Sequence, residues 1–107
     1  MNLPEVLSSL LAAQTNFNSK TYADCFSETA VVFDEGKTHT GRQEIKDWNE
    51  DTNTKYRTRL KPVGFYTEGE ESILETEVSG TFSGSPLVLK YHFKLEDELI
   101  ASLKITG

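Results

Sequence analysis

Two side chains in this sequence stand where they could move a proton. Asp34 closes the β-branched run "AVVF" and opens the stretch "DEGKTHTGRQEI". Tyr91 lies in the alternating segment "PLVLKYHFKL". A carboxylate at the end of a strand has two readings. The tripeptide "DEG" favours a turn, which makes Asp34 a strand terminator. Asp34 also shares strand parity with Val32, so an inward-facing Val32 would put the carboxylate in apolar surroundings, where it could act as a base. Tyr91 reads either as a core aromatic whose hydroxyl finds a partner or as a proton donor.

The other reactive residues fit less well. His39 precedes a helix start, where it can bond the loop backbone or border a cavity mouth. Cys25 is a single thiol beside Phe26 and reads as a small buried hydrophobe, with no internal disulfide open to it. One cysteine with two distant histidines is a poor metal set, and no metal or cofactor is expected.

The elements that must position these groups follow from periodicity. Leu3, Val6, Leu7, Leu10, Ala13 and Phe17 form one apolar stripe, predicting a helix over 3–17 capped by Asn2 with Glu5. A short helix in "SKTYADCF" has Ser19 as N-cap, with Tyr22 and Phe26 one turn apart. "AVVF" is a strand, and a glycine-bearing loop follows. Thr40 with Gln43 then opens a third helix, ending near Asn53, whose Ile45, Trp48 and Thr52 share a face. Four strand segments close the chain: "RLKPVGFYT", "ESILETEVSGTF", "PLVLKYHFKL" and "ELIASLKIT". Pro62 and Gly64 put the first of these at an edge or a bulge.

A two-residue turn at Gly84-Ser85 would set Val78 opposite Tyr91, Thr76 opposite Phe93 and Leu74 opposite Leu95. The other face would then pair Glu77 with His92 and Glu75 with Lys94, which takes His92 out of any inner site. The last strand is open to two registers. A three-residue turn at 96–98 sends Leu99, Ala101, Leu103 and Ile105 inward; a two-residue turn sends Ile100, Ser102 and Lys104 there. Burial favours the first.

With 107 residues the chain is read as one domain, 1–107, with enough core to need no staples. Its 36% hydrophobic and 10% aromatic content is that of a folded protein, so disorder is excluded. A net charge of −6 argues against nucleic acid and acidic membranes, since the short run "KYRTRLK" is the only basic patch. "MNLPEVLSSLLAAQ" lacks the basic start of a signal peptide, and no apolar run approaches the ~20 residues of a membrane span. A cytoplasmic, soluble protein is expected.

Helices followed by an antiparallel meander give an α+β order. In that frame "YADCFSETAVVFDEGKTHTGRQEIKDW" and the tail "YHFKLEDELI" resemble the nuclear transport factor two-like superfamily, with its SnoaL-like polyketide cyclases and ketosteroid isomerases. The resemblance implies a cone: a curved antiparallel sheet wrapped around three N-terminal helices, a cystatin-like α+β barrel. It also implies a homodimer joined through the outer sheet face. The implied cavity holds a small apolar or aromatic molecule and is walled by Leu10, Tyr22, Phe26, Val32, Trp48, Val63, Phe65, Val78 and Phe93. Asp34 falls where ketosteroid isomerases carry their general base. The family's tyrosine position falls at about Leu10, which cannot donate, and its protonated acid falls at Tyr91. Losing an oxyanion donor costs on the order of 100-fold in rate, so the resemblance implies a relative with a task other than steroid isomerisation.

Three functions fit these residues. The first is an isomerase or cyclase with Asp34 as base and Tyr91 as donor. The second is a non-catalytic pocket in which Asp34 anchors a ligand. The third is an interaction protein working through Glu75, Glu77, Lys90, His92 and Lys94. The pocket is preferred over the charged sheet face, because such faces commonly serve only solubility.

Overall fold

The computed structural model describes residues 2–107. The chain runs α1 (Glu5–Thr15), α2 (Ser19–Asp24), β1 (Phe26–Asp34), β2 (Lys37–Thr40), α3 (Gly41–Tyr56), β3 (Arg59–Glu68), β4 (Glu71–Ser79), β5 (Leu87–Glu96) and β6 (Leu99–Thr106). One curved sheet carries all six strands in the order β2-β1-β6-β5-β4-β3, open rather than closed into a barrel. It is antiparallel except where β1 lies parallel to β6. The expected α+β architecture is therefore present, with the helices packed on the sheet's inner face.

The α1 stripe buries Leu7, Leu10 and Ala13 against the sheet. The expected Asn2 cap is replaced by Pro4, whose carbonyl accepts from Leu7 N (3.0 Å) and Ser8 N (3.1 Å). Proline suits a helix start because it brings a preset φ and no orphan N–H. At α2 the cap is Asn18 rather than Ser19: its side chain accepts from Thr21 N at 3.1 Å. Ser19 turns inward instead.

β1 is longer than "AVVF" and turns straight into a hairpin, where a loop is expected. Glu35 (φ 51°) and Gly36 (φ 75°) form the two-residue turn that pairs Asp34 with Lys37. Positive φ at both centres matches the right-handed strand twist. α3 runs on to Tyr56 and buries Ile45, Asn49 and Asn53, where Ile45, Trp48 and Thr52 are the expected face. Its first turn is closed by Glu44, not Gln43: Glu44 Oε1 accepts from Thr40 N at 2.8 Å.

β3 is an edge strand, bulged between Pro62 and Gly64 as expected. The β4–β5 register differs from expectation: Val78 faces Leu87, Thr76 faces Leu89 and Leu74 faces Tyr91. On the outer face Glu75 meets Lys90 and Ile73 meets His92, while Glu77 lies opposite Val88. The shift is even, so each side chain keeps its expected face. The connection is longer because Thr81 bonds back to α3, N to Tyr56 O at 2.8 Å and Oγ1 to Lys55 O at 3.1 Å. A hairpin tip held by a helix end cannot close as a two-residue turn.

β6 combines the two registers. Its turn is the short one, at Asp97-Glu98, and sends Ile100 inward opposite Leu95. An irregularity past Ile100 then sets Leu103 opposite Phe93 and Ile105 opposite Tyr91. One bulge gives both halves of the strand an apolar inner face.

Candidate functional site

Between α3 and the inner face of the sheet lies an open cleft of about 1010 Å³. Its floor is apolar, formed by Leu60 and Val78 with Leu87, Leu89 and Ile105. The floor alternates along each strand, which is why residues far apart in sequence converge there.

Asp34 reaches one end of the cleft because it shares an inner face with Val32, which is fully buried. It flanks a turn and faces the cleft at once, so its two readings do not exclude each other. Four elements supply the rings around it. α2 contributes Tyr22 and α3 contributes Trp48, with ring centres 6.2 Å apart. β2 contributes His39, stacked on Trp48 at 5.5 Å and 27°. Tyr91 joins them from β5.

The half-buried Asp34 carboxylate has no ion-pair partner among the described residues. Burial pushes its carboxyl above the usual carboxylate range, and the Glu35 charge adds to this. Hydrogen bonding from the Trp48 side chain, the nearby His39 and the Glu35 backbone pull the other way. Burial likewise pushes the Tyr91 phenol well up, with the Asp34 charge contributing. Tyr22 is raised first by burial, then by Tyr91, Cys25 and Asp34. Both phenols therefore keep their protons at neutral pH. Tyr22 and Tyr91 are only 2% and 6% exposed, and neither hydroxyl bonds another group among the described residues. A carboxylate able to accept a proton thus shares a concave site with two phenol donors.

Three side chains that periodicity passed over form the cleft's polar wall. Gln14 Nε2 donates to Asn53 Oδ1 at 2.8 Å, Asn53 Nδ2 to Asn49 Oδ1 at 3.0 Å, and Asn49 Nδ2 to Gln14 Oε1 at 2.9 Å. This closed amide ring is fastened by Ser19 Oγ, which donates to Asn49 Oδ1 at 2.7 Å, and by Gln14 Nε2 donating to Thr58 O at 2.9 Å. The available signal was the i, i+4 pair Asn49 and Asn53 in step with Ile45.

Among the expected wall residues, Tyr22, Trp48 and Val78 border the cleft. Leu10, Phe26, Val32 and Phe93 do not: each is at most 1% exposed and packs in the core beneath it. Phe65 also packs against that core, and Val63 sits on the β3 bulge, half exposed and away from the cleft. His39 lies on β2 rather than in a loop. His92 stays outside the site, with Nε2 2.9 Å from Thr106 Oγ1 and Nδ1 3.5 Å from Glu71 rather than facing Glu77. No group of three or more possible metal ligands converges among the described residues.

No protein-family model matches the sequence, and no curated protein does. Solved structures do match. A protein from Sinorhizobium meliloti assigned by name to the polyketide cyclases is 30% identical, over 97% of this chain and 95% of its own, with a TM-score of 0.92. A protein of ketosteroid isomerase-like fold from Catenulispora acidiphila, in complex with trimethylamine, is 22% identical over 99% of this chain and 87% of its own (TM-score 0.86). A nuclear transport factor two-like protein of unknown function from Cytophaga hutchinsonii shares the fold at 15% identity, over 95% and 86% of the two chains (TM-score 0.79). With these likenesses spanning nearly its whole length, this chain belongs to the nuclear transport factor two-like superfamily, the group of the polyketide cyclases and ketosteroid isomerases.

Proposed function

We propose that the cleft binds a small, largely apolar molecule bearing a carbonyl, and that Asp34 takes a proton from the carbon beside it. The C–H bond breaks, its proton goes to the Asp34 carboxylate, and the electron pair moves toward the carbonyl oxygen as an enolate. Tyr91, with Tyr22, donates hydrogen bonds to that oxygen. The proton then returns at another carbon, or the enolate carbon attacks a second carbonyl to close a ring, the electron pair of that C=O bond passing to its oxygen, which takes the proton back from Asp34.

The observation that carries this reading is the half-buried Asp34 carboxylate, free of ion pairs, in one cleft with two buried phenols that have no protein partner. The raised carboxyl makes Asp34 a better base than a solvated aspartate, since a higher pKa favours proton uptake. The cyclase and isomerase names among the structural neighbours agree with it. Asp34→Asn is expected to abolish deuterium exchange at the α-carbon of a methyl ketone carrying a para-tert-butylphenyl group, followed by proton NMR. Binding of the ketone should survive the substitution.

A second reading makes Asp34 the anchor of a ligand that is not turned over. The trimethylamine complex of the Catenulispora protein favours it, because that molecule has no carbonyl. Saturable binding without exchange in the unsubstituted protein would select this reading. Pairing of two copies through the outer sheet face, where Val63 and Val88 are exposed, belongs to the same proposal. Sedimentation velocity of a Val88→Glu variant checks it.

A further inference from the structure

The amide ring in the cleft's polar wall has a direction, and that direction leaves donors unspent. Thr58 O is a backbone carbonyl and can only accept, so the Gln14 atom facing it at 2.9 Å is the amide nitrogen. This fixes the other members: Asn53 Oδ1 accepts from Gln14, Asn49 Oδ1 from Asn53, and Gln14 Oε1 from Asn49. Gln14 thus spends both its amide N–H groups, and Asn49 Oδ1 takes a second bond from Ser19 Oγ. Asn49 and Asn53 each donate one N–H into the ring and keep one. Neither makes a second donation among the described residues.

Both residues line the cleft although they are only 3% and 9% exposed. A carbonyl oxygen that already accepts one bond is satisfied, whereas a buried N–H without an acceptor is costly. The ring's unmet demand is therefore for acceptors. No cationic side chain bonds the ring, so a carboxylate would lose its hydration there without a counter-charge. A neutral carbonyl-type oxygen meets the demand at lower cost. The wall continues from the Asp34 end of the cleft: Ser19, which holds Asn49, precedes Tyr22 by one turn of α2. Asn53 lies about 7 Å beyond Trp48 along α3, a span that a para-disubstituted benzene ring bridges.

We propose that Asn49 and Asn53 determine specificity: their free N–H groups take a second, neutral acceptor oxygen, separated by the ligand's apolar body from the carbonyl at Asp34. The proposal rests on the binding reading above and adds the ligand's second polar group to it.

The test compares two phenylacetones of one shape, carrying para-acetyl or para-isopropenyl, the second with CH2 where the first has a carbonyl oxygen. Each is titrated against the full chain by calorimetry. The acetyl probe is expected to bind about tenfold tighter. In an Asn53→Ala variant, checked for folding by circular dichroism, the preference should shrink toward parity. The unsubstituted protein supplies a second readout that needs no variant to fold. With its acetyl carbonyl isotope-labelled, the bound probe should show that stretch at lower frequency than in hydrocarbon solvent. Equal affinities, a preference for isopropenyl, a preference unchanged in Asn53→Ala, or a stretch at its hydrocarbon-solvent position would each overturn the proposal and leave the binding reading standing. Failure of both probes to bind would overturn the two together.

Discussion

Removing one member of the buried amide ring should destabilise the fold by an amount that can be worked from its bonds. Asn49→Ala deletes three at once: the Ser19 hydroxyl and the Asn53 amide lose their acceptor, and Gln14 Oε1 loses its donor. Each orphaned buried group costs at least about 1 kcal/mol, giving a loss of about 3 kcal/mol. The ring borders the cleft, so a water entering from that side can recover part of this. For a chain of this size, 3 kcal/mol lowers Tm by roughly 12 °C. Thermal and urea unfolding followed by circular dichroism measure both quantities. A cycle with Gln14→Ala should show strong coupling, since the two single variants break the same ring. An Asn49→Ala loss below about 0.5 kcal/mol, or additive single losses, would refute the claim that the ring holds α1 to α3.

Three further outcomes follow from the same geometry. Asp34→Asn should make the protein more stable at neutral pH. A carboxyl raised in the folded state contributes stability only while protonated, and loses it as pH rises through that raised value. The advantage of the variant should therefore vanish as pH falls below the ordinary aspartate value of about 4, as unfolding at several pH values would show. Tyr91→Phe should leave stability within about 0.5 kcal/mol, because its hydroxyl has no protein partner, while α-carbon exchange falls on the order of 100-fold. Gly80→Ala should destabilise by roughly 1–3 kcal/mol in urea unfolding, because the added methyl would meet a backbone atom that cannot swing aside. Its Cβ would run into the Tyr56 carbonyl oxygen.

The sequence carried most of the fold, and the misses have common causes. Side-chain parity is strongly patterned, so the inner faces of β4 and β5 were legible although the register was not: an even shift leaves every apolar residue on its own face. What set the register was a long-range bond from Thr81 to the end of α3, and local spacing contains no trace of it. The β2 strand was hidden because "KTHT" is short, polar and at an edge, with no burial to pattern it. At the site, Asp34, Tyr22, Trp48 and Tyr91 stood out by residue type and by resemblance. Leu10, Phe26, Val32 and Phe93 fit the cavity wall that the resemblance implies as well as they fit a core, because apolar residue type reports burial and does not distinguish a filled core from a lined cleft. Gln14, Asn49 and Asn53 escaped for the converse reason. A buried polar ring looks like a solvated helix face until its partners, 35 and 39 positions apart in the chain for Gln14, are seen together.

The central claim is that the cleft beside Asp34 is a ligand site, and Trp48 offers the most direct measurement. It is the single tryptophan of the chain, its ring borders the cleft, and it stacks on His39. Its fluorescence should change saturably as the tert-butylphenyl methyl ketone is added. Emission that stays flat up to millimolar ketone, or drifts linearly without saturating, would contradict a site at this place.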